Sequence, residues 1–146
     1  MTSGVHLKEQ KIIEVKYGDV LHALKRTDPE FSEFGEAYFS TVHNQSIKAW
    51  KRHREATLNI VVPVGRIRFV IYDDRKSSEG LGQFQEEYLS RENYKRLTLP
   101  PMVWLGFQGA GDGENVLLNL SSLVHDPSES DRLDIDEIEF DWRKAK

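Results

Sequence analysis

Apolar and polar positions alternate with a period of two along much of the chain, in short runs separated by turn residues, which is the pattern of half-buried β-strands. The stretch 11–26, with Ile12, Ile13, Val15, Tyr17, Val20, Leu21 and Leu24, predicts one or two strands broken at Gly18-Asp19. Thr27-Asp28-Pro29-Glu30 has turn chemistry, and residues 33–42 lead into a short strand holding Ala37, Tyr38 and Phe39. Residues 58–62 and 66–72 are β-branched and aromatic runs separated by Pro63-Val64-Gly65, which predicts a hairpin. Further strands are expected at 83–89, 94–99, 102–108 and 115–123, with a glycine-rich turn at 109–113. Many short strands at even spacing and almost no helical periodicity predict an all-β chain with little helix, most economically a double-sheet jelly roll.

One run departs from simple alternation. From Ser46 to Glu55, one strand face carries Ile47, Ala49, Lys51 and His53, and the other Lys48, Trp50, Arg52 and Arg54. Basic groups on both faces suit a barrel wall lining a pocket for an anionic ligand. They equally suit an exposed edge strand guarded by Lys and Arg. A lysine turned into a barrel interior is partly desolvated, which lowers its pKa and makes Lys51 usable as a base. His53, near neutrality by nature, is the other candidate base.

Composition narrows the function classes. The chain of 146 residues is 38% hydrophobic and 30% charged with a net charge of −4, which suits one soluble domain spanning 1–146 and argues against nucleic-acid binding. It has no cysteine, so disulfides, thiolate metal sites and thiol nucleophiles are absent. No apolar run approaches membrane-spanning length and the polar start does not read as a signal peptide, so a cytoplasmic location without membrane contact is expected. Residues 128–146 read as a peripheral tail with Ile135, Ile138, Phe140 and Trp142 as anchors. The histidines are too scattered for an imidazole-rich site, and neither a metal nor another cofactor is expected. No nucleophile triad and no phosphate-binding glycine loop is present.

An ordered set of short motifs then stands out: Gly35-Glu36-Ala37-Tyr38-Phe39, Ile47-Lys48-Ala49-Trp50, Val64-Gly65 with Arg75 ten residues on, Leu99-Pro100-Pro101-Met102-Val103-Trp104-Leu105-Gly106-Phe107, and His125-Asp126-Pro127. Together they resemble the cupin-fold dTDP-4-dehydrorhamnose 3,5-epimerases and their shorter relatives in nucleotide-sugar pathways. The resemblance implies a cupin-type double-stranded β-helix. It also implies a homodimer in which the N-terminal segment 1–26 crosses between subunits, and a dTDP-hexose bound in the barrel mouth. Family members move protons at carbons beside a sugar ketone. Laid over the family's Arg-Gly-Leu-His strand, this chain reads Lys48-Ala49-Trp50-Lys51, so Lys51 falls at the base position and Lys48 at the arginine. The family's lysine falls at Leu58, its tyrosine acid at Asn119 and a later histidine at Leu105, so the family's catalytic residues are not retained at those positions. The candidate catalytic residues are thus Lys51 and His53, and the candidate substrate-binding residues Lys48, Trp50, Arg75, Asn119 and His125. The function implied is an epimerase or isomerase acting beside the 4-keto group of a dTDP-linked deoxysugar in surface-polysaccharide or lipopolysaccharide synthesis. The alternative is a non-catalytic cupin that binds a sugar nucleotide or a partner enzyme.

Overall fold

A computed structural model describes residues 2–144. Its strands are β1 (His6–Glu9), β2 (Ile12–Ile13), β3 (Val20–Leu21), β4 (Glu36–Thr41), β5 (Ile47–His53), β6 (Leu58–Val64), β7 (Arg66–Tyr72), β8 (Phe84–Ser90), β9 (Lys95–Leu99), β10 (Trp104–Gly109), β11 (Val116–Ser121) and β12 (Ser130–Arg132). Two five-stranded antiparallel sheets hold ten of them, in the orders β1-β9-β6-β11-β4 and β12-β5-β10-β7-β8, while β2 and β3 form a separate hairpin. The only helical elements among the described residues are two three-residue 3₁₀ turns, so none is long and apolar enough to cross a membrane. The all-β, double-sheet expectation holds.

Alternation builds the core. Leu58, Ile60 and Val62 of β6 face Ile67, Phe69 and Ile71 of β7, and Leu89, Leu97, Leu99 and Leu117 close the layer between the sheets. The outer faces are covered differently. On the first sheet, Arg96 is fully buried beneath the segment before β4, where it donates to the Ala23 carbonyl and pairs with Asp28 at 2.9 Å and Glu30 at 2.5 Å. On the second sheet, the end of the chain packs Ile138, Phe140 and Trp142 against Trp50, Val70 and Trp104. Gly106 makes room there, because a Cβ at that position would meet the Trp142 ring at 2.9 Å. Buried Arg68 fastens the same segment by donating to the Trp142 and Lys144 carbonyls.

The expected hairpin at Pro63-Val64-Gly65 is not formed. Its two strands exist at the expected places, but β6 pairs with β9 and β11 whereas β7 pairs with β10 and β8. The corner therefore carries the chain from one sheet to the other. Gly65, at φ 76°, is required there because a Cβ would lie 2.2 Å from the Glu114 carbonyl oxygen. Asn115 fixes the corner by accepting from the Arg66 amide and donating to the Val42 and Gly111 carbonyls.

Arg96 is the buried tie to two carboxylates beneath the N-terminal cover, and the half-exposed Lys8 approaches the same pair only at 3.9 Å. Replacing it by alanine leaves Asp28 and Glu30 without their guanidinium and is expected to cost about 3 kcal/mol of folding free energy. Urea denaturation of the Arg96→Ala protein measures this.

Candidate active site

Between the two sheets, at the end where β4 and β5 face one another, lies a cavity of about 1110 Å³. Period-two alternation aims Ile47, Ala49, Lys51 and His53 of β5 into it from one sheet, and Glu36, Tyr38 and Ser40 of β4 with Leu117 and Asn119 of β11 from the other. Leu58, Ile60, Leu105 and Phe107 give it an apolar floor. Residues 130–137, within the segment expected to be peripheral, are part of the site: β12 pairs with β5, and Arg132, Leu133, Asp134 and Glu137 complete the wall. Asp131 clamps this strand, accepting from Arg54 at 2.6 Å and from Arg52 at 2.7 Å. The two arginines, Arg54 foremost, hold its carboxyl down to about 2. The clamp is therefore complete above the ordinary carboxylate range and is lost only as pH falls toward about 2.

The central pair is His53 and Glu129, with Nδ1 and Oε1 2.7 Å apart. The Glu129 carboxylate also accepts from the backbone amides of Glu55 and Ala56 through Oε2. Burial pushes this carboxyl up, but the hydrogen bonds from His53 and the two amides outweigh it and hold the group below its ordinary value. An ionised carboxylate only accepts, so Nδ1 carries the proton toward Glu129 and Nε2 is the ring nitrogen left facing away from it. Beside it, Lys51 is held below its ordinary value by burial and by the Arg132 charge, against the opposing pull of Glu129 and Glu36.

The other expected residues fall into three groups. Lys48 and His125 stand at the exposed rim of the cavity, with Lys48 Nζ donating to the Thr41 carbonyl at 2.7 Å. Asn119 is inside, 4% exposed, and donates to the Tyr38 hydroxyl. Trp50 borders the cavity but its ring belongs to the outer core, 5.4 Å from Trp142, with Nε1 donating to the Ile135 carbonyl. Arg75 is not among the lining residues: it pairs with buried Asp73 at 2.9 Å and donates to the Ser3 carbonyl. Glu129, Tyr38, Glu36 and Arg132 were not among the expected site residues. Alternation alone places Glu36 and Tyr38 on one face, whereas Glu129 joins His53 from 76 residues away and has no local signal. Among the described residues, no three His, Asp or Glu side chains converge to hold a metal ion.

This architecture matches known proteins. A family model described as dTDP-4-dehydrorhamnose 3,5-epimerase matches residues 40–146. The chain belongs to the dTDP-4-dehydrorhamnose 3,5-epimerase family. Its fold superposes on the crystal structure of a dTDP sugar isomerase from Desulfovibrio desulfuricans with a TM-score of 0.94 and 40% identity, covering 99% of this chain and 94% of that one. The "Probable low-salt glycan biosynthesis epimerase" of Haloferax volcanii is 32% identical over 105 residues, 71% of this chain and 64% of that protein, so the match spans less than two thirds of that relative. The spore coat polysaccharide biosynthesis protein SpsL of Bacillus subtilis is 27% identical over 146 residues, 97% of each chain. A 3'-monoepimerase of Streptomyces bikiniensis, crystallised with dTDP-quinovose, shares the fold at a TM-score of 0.82 and 15% identity, covering 92% of this chain and 71% of that one. The cupin-type jelly roll of this epimerase family is thus established for the chain.

Lys51 provides a direct electrostatic check. NMR titration of its side chain is expected to give a midpoint below that of an ordinary lysine. Arg132→Leu removes a like charge and moves it up, and Glu129→Gln removes an opposite charge and moves it further down.

Proposed function

We propose that the protein is a cytoplasmic epimerase or isomerase that moves a proton beside the 4-keto group of a dTDP-linked deoxysugar during surface-polysaccharide synthesis. The observation that carries this reading is the His53–Glu129 pair, 2.7 Å apart in a cavity that also holds Lys51. Glu129 orients the ring and stabilises the imidazolium that forms when Nε2 takes the acidic proton next to the ketone. Lys51 supplies positive charge for the enolate oxygen, and its lowered pKa eases proton donation there. Asn119 contacts the sugar. Lys48 and His125 at the rim meet the diphosphate, and Trp50 backs the wall. Arg75, committed to Asp73, takes no part in binding. A second reading, binding without turnover, draws support from Leu58 and Leu105, which leave part of the wall apolar.

Incubation with dTDP-4-keto-6-deoxyglucose in heavy water separates the two readings. The first expects deuterium uptake beside the ketone, slowed about 10²–10⁴-fold in His53→Asn; the second expects none from the folded wild-type protein.

The protein also works as a homodimer in this proposal. The β2–β3 hairpin exposes Ile13, Val15 and Val20, with Tyr17 91% exposed, and the free edge strand β4 exposes Phe39, so both have apolar surface for a second copy to cover. Residues 1–26 are the segment that exchanges. Light scattering at micromolar concentration is expected to give twice the 16.9 kDa chain mass.

A further inference from the structure

A lysine amine attacks a ketone only when it is unprotonated, and two surroundings favour that state: an apolar wall and a neighbouring cation. Lys51 has both. Its strand lies between β10 and β12 in the second sheet. Leu105 stands directly opposite it on β10 and Arg132 directly opposite it on β12, and all three side chains line the cavity. The outer face of the same β12–β5 pair is built differently. There Asp131 lies opposite Arg52 and accepts from it at 2.7 Å, so unlike charges meet. Like charges directly opposite one another destabilise a sheet, yet the cavity face sets Arg132 against Lys51. Among the described residues neither of these two cations forms an ion pair, because Glu129 is taken by His53 and by two backbone amides. Glu129 and, from β4, Glu36 draw the Lys51 amine toward its charged form, but burial and Arg132 prevail. A cation meant only to sit beside an enolate oxygen is better served by an ammonium of ordinary pKa. These flanks favour the free amine, which is a nucleophile.

We infer that Lys51 is a nucleophile whose Nζ forms a Schiff base with the ketone carbon of the sugar, and that Arg132 is its positioning residue; this rests on the epimerase or isomerase reading above. The free amine adds to the ketone carbon, forming a C–N bond while the C=O electron pair moves to oxygen. That oxygen takes one proton from the nitrogen and one from solvent and leaves as water, which gives an iminium. His53, two residues along the same face of β5, then takes the proton from the adjacent carbon through Nε2. The C–H electron pair forms a C=C bond as the C=N pair returns to nitrogen, leaving a neutral enamine. Reprotonation of carbon restores the iminium, and water adds back to release the ketone, the free amine and the proton taken up earlier. One water leaves and one enters, so atoms and charge balance over the cycle. The iminium carries a full positive charge next to the reacting C–H bond, which makes its proton more acidic than beside a neutral ketone.

Cyanoborohydride reduces an iminium and leaves a ketone intact near neutral pH, so it reads the intermediate directly. Wild-type protein incubated with dTDP-4-keto-6-deoxyglucose and this reagent is expected to gain a covalent sugar-nucleotide adduct, mapped by peptide mass spectrometry to Lys51. Lys51→Arg keeps the positive charge but forms no Schiff base, so it is expected to lose both the adduct and deuterium uptake beside the ketone in heavy water. In Arg132→Leu the acid limb of the exchange rate, which follows the free amine, should move to higher pH, a shift that loosening of the wall alone does not produce. Deuterium uptake by the wild-type protein without an adduct on Lys51 overturns the Schiff base and spares the proton-transfer reading, as does exchange at the wild-type rate in Lys51→Arg. Adducts on other lysines with none on Lys51 overturn it as well. A folded wild-type protein that shows neither adduct nor deuterium uptake removes both.

Discussion

The Glu129 carboxylate is the junction on which the site depends. It is drawn from the last part of the chain, accepts from His53 and from two backbone amides just past β5, and so closes the open edge of the second sheet while orienting the His53 imidazole in the cavity. Partial burial of a carboxylate is unfavourable unless its lone pairs are filled, and here three donors fill them. The same contacts that make the carboxylate tolerable in the wall also keep it ionised. Structure and chemistry are therefore served by one set of hydrogen bonds.

Polarity is partitioned with similar economy. The interior between the sheets is apolar where β6, β7 and β9 face one another and becomes polar only toward β4, β5 and β11. The outward faces of both sheets are not left to water. The N-terminal cover is held by ion pairs to Arg96, whereas the C-terminal cover is held by aromatic packing and by Arg68 donating to main-chain carbonyls. Each sheet thus has one face toward the common core and one toward its own cover, which explains why the β6 and β7 runs are more continuously apolar than a strand with one wet face would be.

The strands were readable because alternation is a local property. Ile47, Ala49, Lys51 and His53 sit on one face of β5 as their spacing requires, and the runs at 58–64 and 66–72 are strands. What lies between those two runs was misread because a glycine corner specifies a change of direction, and not which sheet receives the next strand. Gly65 switches sheets because Asn115, 49 residues from Arg66, holds the corner from outside it. Glu129 was illegible for the same reason. A lone glutamate after Asp126-Pro127 looks like any acidic turn until β12 brings it against β5. Arg75 shows the opposite case: a loop arginine beside two aspartates has a partner two residues away, and the structure pairs it with Asp73.

The late position of Glu129 has a consequence for how the molecule comes into being. All strands of the two sheets except β12 precede it, so during synthesis the jelly roll has its full set of core residues before the carboxylate leaves the ribosome. Until then His53 lacks the partner that fixes its tautomer. A chain ended before Ser128 would contain every residue of the inner β6–β7–β9–β11 core but lack both the carboxylate that orients the imidazole and the Ile138–Trp142 cover over Trp50, Val70 and Trp104, so the final segment completes the site and the outer core together.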